Sequence, residues 1–207
     1  MKKYLVLIAI CVCFIGYSQE ILQGKVSYRV SMRKTELSKL NDGKKITKER
    51  KEKLKKIINL SKDVVAELCF NNTESLYVIK GKMKSDADKK MNFTEIFAGG
   101  SNKYYVNLEI KEFFYETDTF GEVINIEMLQ KKWKLTQETK KIGDYICYKA
   151  IDMDSKNQTT IAWYAPKIPV NYGPKKYFGL PGLILRVEES SFIFESTKIF
   201  LNKELKK

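Results

Sequence analysis

Past residue 18, the side chains whose types could do chemistry are two thiols, Cys69 and Cys147, and a scatter of carboxylates. Asp144, Asp152 and Asp154 fall near one predicted hairpin, and Glu188-Glu189 ends another. Strand alternation or turn preference accounts for each of them. The chain contains no histidine, which excludes Ser-His-Asp and Cys-His catalysis and removes the usual neutral-pH acid-base group. Carboxylate or lysine chemistry is left, but no nucleophile-base arrangement, phosphate loop or metal spacing is present. The expectation is a non-enzyme with no catalytic residue, no cofactor and no metal. Two thiols without histidine fall short of the four ligands usual for zinc. Two readings fit the thiols. Cys69 and Cys147 pair across strands in an oxidising compartment, or they remain buried free thiols behaving as small hydrophobes.

The compartment follows from the N-terminus. In MKKYLVLIAICVCFIGYS, Lys2 and Lys3 precede an apolar run from Tyr4 to Ile15. Gly16 and Ser18 supply small residues for cleavage before Gln19. The run is shorter than the ~20 residues a membrane span needs, so 1–18 reads as a secretory signal. Ile10 and Val12 before Cys11 and Cys13 do not suit lipidation. The remaining chain, 19–207, suits one domain in the periplasm or at the outer membrane. Net charge is +13, or +11 once Lys2 and Lys3 are lost. In an exported chain that charge meets anionic lipid or acidic partners before nucleic acid, so no nucleic-acid partner is expected.

Hydropathy patterning gives the elements. Residues 24–32 (GKVSYRVSM) alternate as a half-buried strand. Residues 34–62 read as a lysine-rich insertion, with a turn at Asn41-Asp42-Gly43 and a basic helix over 48–60. Thr47 caps that helix, and Leu54, Ile57 and Ile58 form a narrow apolar stripe. Strands are predicted at 64–71 and 74–81, joined by Asn72-Thr73 as a hairpin. Residues 84–102 read as a long loop. Strands follow at 103–110 and 111–118, then in EVINIEML, WKLTQETKKI, DYICYKAID and TTIAWYAP, with Gly143-Asp144 and Asp154 to Asn157 as turns. LILRVEE (183–189) and SFIFESTKIF (191–200) close the chain as a hairpin. This is a mainly β (α+β) chain: a single antiparallel, curved sheet or open half-barrel with one or two helices.

All four prolines, Pro166, Pro169, Pro174 and Pro181, lie within sixteen residues. Such a segment is neither helix nor central strand. It is also rich in apolar residues, among them Trp163, Tyr164, Tyr177, Phe178, Leu180 and Leu183, so an ordered, packed loop is expected. Gly173-Pro174, Gly179 and Pro181-Gly182 supply the turns. Leu180 to Leu183 fits a type II turn with positive φ at Gly182. "AWYAPKIPVNYGPKKYFGLPGLILRVE" resembles the GLPGLI family of exported Bacteroidetes-type proteins, through the intact string at 179–184 and the Trp-Tyr, Ile-Pro, Gly-Pro and Phe178 before it. The blocks "GKVSY", "FNNTESLY" and "IGDYICYKA" also resemble the family's. The resemblance covers most of 19–207 except the lysine-rich insertion. It implies export and maps no catalytic residue.

Two functions fit. The first is a binding protein or carrier for a hydrophobic ligand or an extended peptide, similar in shape to periplasmic lipoprotein carriers. Trp163, Tyr164, Tyr177, Phe178, Leu180 and Leu183 would rim its cavity, and Tyr104, Tyr105, Phe113, Phe114 and Tyr115 would line it with Trp163 and Tyr164. The second is an interaction module serving an outer-membrane transporter or receptor through the 48–60 helix, which could also meet an anionic membrane surface.

Overall fold

Alternation organises the strands. In β1 (Gly24–Met32), Val26, Tyr28 and Val30 are fully buried, while Lys25, Ser27 and Arg29 between them reach solvent. The same two-residue period runs through β2 (Val64–Phe70), β3 (Glu74–Ile79) and β4 (Lys103–Asn107). The set is completed by β5 (Glu112–Thr119), β6 (Glu122–Glu127), β7 (Trp133–Ile142), β8 (Tyr145–Asp152), β9 (Ile161–Ala165), β10 (Leu183–Glu188) and β11 (Phe192–Leu201). The structure, a computed structural model, describes residues 22–33, 47–80, 91–153 and 159–202. The predicted leader, the turns at 41–43 and 154–157 and most of the charged C-terminal tail lie outside the described residues.

All eleven strands join one antiparallel sheet in the order β6-β5-β4-β3-β2-β1-β11-β10-β9-β8-β7. Two meanders, β1 to β6 and β7 to β11, meet where the first strand pairs with the last. The expected mainly β, open antiparallel sheet is therefore found. β6 and β7 are its two edges, and the short link 128–132 joins them. Register shifts interrupt β1 at Ser27/Tyr28, β10 at Ile184/Arg186 and β7 between Leu135 and Thr139. Such irregularities bend a strand and increase its twist.

The sheet curls. Phe113 of β5 lies 4.8 Å from Phe178, and Trp133 of β7 lies 6.2 Å from the adjacent Tyr177. β5 and β7 stand nine strand positions apart, which would be about 43 Å in a flat sheet at ~4.8 Å per strand. Only a curved sheet brings both against neighbouring residues of one loop.

Among the described residues, two helices accompany the sheet. α1 (Lys48–Asn59) starts as predicted, the Thr47 hydroxyl accepting from the Arg50 N–H at 3.4 Å. Of its expected stripe, Ile57 and Ile58 are half-buried; the Leu54 side chain lies outside the described residues. α2 (Phe93–Ala98) corrects the reading of 84–102 as a loop throughout; residues 84–90 are outside the described residues. The Asn92 side chain accepts from Thr94 N–H at 3.2 Å, Glu95 occupies the first turn, and Gly99 at φ +132° ends the helix. The signal was legible: Asn92, then Glu95 three residues later, is a helix start. α2 is held by the Tyr77 hydroxyl, which donates to Ala98 O at 3.0 Å. No described helix is long and apolar enough to cross a membrane.

Candidate functional site

The proline-rich segment 166–182 occupies the inner, packed side of the curled sheet. Ile168, Tyr172, Tyr177, Phe178 and Leu180 are buried to within 2%. Tyr177 packs against Phe194, Tyr172 against Phe70, and Phe178 against Phe113, so the segment touches strands from the centre of the sheet to near its edge. A buried loop must satisfy its own polar backbone, and this one does so through specific bonds. Gly179 N–H donates to Asn171 O at 2.8 Å, Leu183 N–H to Ile168 O at 3.0 Å, and Ile184 N–H to Tyr172 O at 2.9 Å. Trp133 Nε1 donates to Phe178 O at 2.9 Å, and the Tyr28 hydroxyl donates to Ile184 O at 2.5 Å. Lys175 Nζ donates to Phe97 O at 2.6 Å and ties the segment to α2.

The turn at the glycine-proline string differs from the type II expectation. Gly182 N–H donates to Leu180 O at 2.8 Å, closing a three-residue turn around Pro181. Leu183 N–H, which would close a four-residue turn, is already taken by Ile168 O. Val170 N–H likewise donates to Ile168 O at 2.8 Å around Pro169. Proline suits the centre of such turns because its ring fixes φ near the required value. Gly182 does have the expected positive φ, +147°. Gly173 is required by close approach, since a Cβ there would lie 2.6 Å from Tyr177 O and 2.8 Å from the Ile184 Cβ.

Among the described residues, the expected ligand-lining set divides between the core and the outer face. Tyr164, Tyr177, Phe178, Leu180 and Leu183 are core residues. Trp163 lies on the outer face, with Lys140 Nζ 5.5 Å from its ring centroid. The aromatic run divides by strand parity. Tyr104 is buried and stacks on Tyr115 at 5.3 Å, whereas Tyr105 and Phe114 pair on the outer face at 5.2 Å. An open depression of about 460 Å³ lies elsewhere, at one end of β1, β2 and β11. It is lined by Gly24, Lys25, Cys69, Phe70, Phe200 and Leu201, with Gln23 and Asn202, and by none of the expected ligand-lining residues.

Electrostatics in the interior are those of a packed core. Burial pushes the Tyr28 and Tyr177 hydroxyls well above the usual phenol range, and Tyr177 donates to Glu189 Oε1 at 2.6 Å. Burial lowers the Lys175 ammonium. Among the described residues no cluster of three His, Cys, Asp or Glu could hold a metal ion.

The cysteine bridge is not formed. Cys69 on β2 and Cys147 on β8 are both free, and four strands separate theirs in the sheet. Cys69 is exposed, so the alternative of two buried thiols holds for Cys147 alone. Burial raises the Cys147 thiol to about 12, which leaves it unreactive at neutral pH. A maleimide added to a folded chain of residues 19–207 is expected to modify Cys69 and spare Cys147. Mass measurement should show one adduct before denaturation and two after.

Residues 133–161 and 152–186 match the model of a family described as "Protein of unknown function (Porph_ging)". No curated protein matches the chain. Two structures of PNGF-II, in the C2 and P21 space groups, share the fold with TM-scores of 0.53 and 0.54 at 18% identity. They match 89% of this chain, but this chain spans only 28% and 29% of the PNGF-II chains.

Proposed function

We propose that the protein is a non-catalytic interaction module of the cell envelope, exported by way of its first eighteen residues. In this reading it docks an envelope protein such as an outer-membrane transporter or receptor. The string GLPGLI at 179–184 supports a place in the family of that name, and the Lys2-Lys3 and Tyr4–Ile15 pattern supports export. The observation that carries the reading is that the chain's own 166–182 segment fills the inside of the sheet. A carrier of acyl chains needs that volume empty or openable. Here Ile168, Tyr172, Phe178 and Leu180 of the segment take it, all buried. Among the described residues, the outer face, the open depression at the end of β1, β2 and β11, the two edges and the exposed side of α1 remain available.

The test is the mass of the chain purified gently from its own envelope, under native conditions and after denaturation. A bare chain in both, with crosslinking to an envelope protein in place, is the expected result. A mass excess lost on denaturation would reinstate a carried ligand and overturn this reading.

A further inference from the structure

The two edges of the sheet carry opposite charge, and among the described residues neither pairs with the other. The β5–β6 hairpin, residues 112–127, contains five acids (Glu112, Glu116, Asp118, Glu122 and Glu127) and neither lysine nor arginine, in a chain of net charge +13. Every residue of β6 is exposed. Val123 is 65% exposed, and Phe120 at the hairpin tip is fully exposed. At the other edge, residues 131–141 contain five lysines (Lys131, Lys132, Lys134, Lys140 and Lys141) against one acid, Glu138. Edge strands present unpaired backbone groups that template pairing with another chain, and like charges are the usual guard. The lysines of β7 guard it against a second β7, and Glu122 and Glu127 guard β6 against a second β6. Neither guards β6 against β7.

We propose that copies of this chain associate edge to edge, the acidic β6 of one pairing with the lysine-rich β7 of the next. The faces agree in an antiparallel register that sets Glu122 opposite Lys141. Glu122 shares the packed-face parity of Ile126, which pairs with Tyr115. Lys141 pairs with Ile146, which shares the parity of the buried Ala150. In this register Glu122 to Ile124 face the regular stretch 139–141, while Asn125 to Glu127 face 136–138, within the irregularity of β7. Because the two surfaces differ, the contact is heterologous and yields rings or open chains rather than a two-fold dimer. It stands apart from the envelope-partner reading and does not depend on it.

Sedimentation of the exported, leader-free chain tests it, from about 10 µM to about 1 mM, the range in which weak contacts populate. At low salt the average mass should rise above one chain with concentration, and ~0.5 M salt should suppress the rise by screening. Two charge-reversed variants then assign the surfaces: Glu122→Lys with Glu127→Lys, and Lys140→Glu with Lys141→Glu. Each alone should remain monomeric, and an equimolar mixture should regain the association, which also shows that both are folded. A wild-type chain that stays monomeric throughout overturns the proposal. So does association that survives either reversal, or that the mixture fails to restore.

Discussion

Gly182→Ala is expected to destabilise the fold by about 3–5 kcal/mol, the combined scale of left-handed strain and forced overpacking. The backbone at Gly182 has φ +147°, a conformation that residues with a Cβ rarely adopt. The added methyl would also lie 2.5 Å from Ala165 O, 2.6 Å from its carbonyl carbon and 2.8 Å from Pro166 Cα. All three are backbone atoms at the junction of β9 with the segment, so none can rotate aside. Gly121→Ala is the control. Its φ is +83°, with nothing within 4 Å of the added carbon, so only backbone strain of about 1–2 kcal/mol is expected. Urea unfolding of both variants checks the contrast. Equal losses would show that contact with Ala165 contributes nothing.

Phe178→Ala is expected to cost about 3–5 kcal/mol, the range for deleting a buried aromatic ring. Phe178 is 1% exposed and packs on Phe113, 4.8 Å away between ring centroids. Its carbonyl accepts from Trp133, so the substitution removes the ring while leaving the backbone tie intact. The ring joins a strand near one edge of the sheet to a loop held by the other edge. Its loss should therefore lower the unfolding midpoint and loosen the approach of β5 to β7. A loss under about 1 kcal/mol would place Phe178 at a site that collapses readily or tolerates a void.

These residues also show what the sequence revealed. Strands were legible because alternation reports burial directly: Val26, Tyr28 and Val30 point inward as their spacing requires. WKLTQETKKI coincides with β7 from first residue to last. The 166–182 segment was legible as ordered and packed, since its prolines forbid regular structure while its apolar residues demand burial. Its destination was not legible. A turn-rich apolar segment can rim a cavity or fill one, and the choice depends on how far the sheet curls. That curvature arises from bulges and from contacts between residues distant in sequence, such as Phe113 with Phe178 and Trp133 with Tyr177. The turn at Pro181 departs from the type II expectation for a similar reason. Local chemistry favours a four-residue turn, but the long-range bond from Leu183 to Ile168 takes the donor it would use. The cysteine pair failed on strand order, which no spacing in the sequence specifies. α2 is obscured in the sequence by the polar run before it, which resembles a loop, although Asn92 and Glu95 mark its start.

Native-state hydrogen exchange tests whether 166–182 is the fixed interior of the fold. The amide of Gly179 donates to Asn171 O within the segment, and those of Leu183 and Ile184, at the start of β10, donate to Ile168 O and Tyr172 O in it. They should exchange only through global unfolding, at the same free energy as the central β1–β11 amides. Exchange at a markedly lower free energy, while β1 and β11 stay protected, would contradict the account. The segment would then open by itself, and the space beneath it would be a binding cavity.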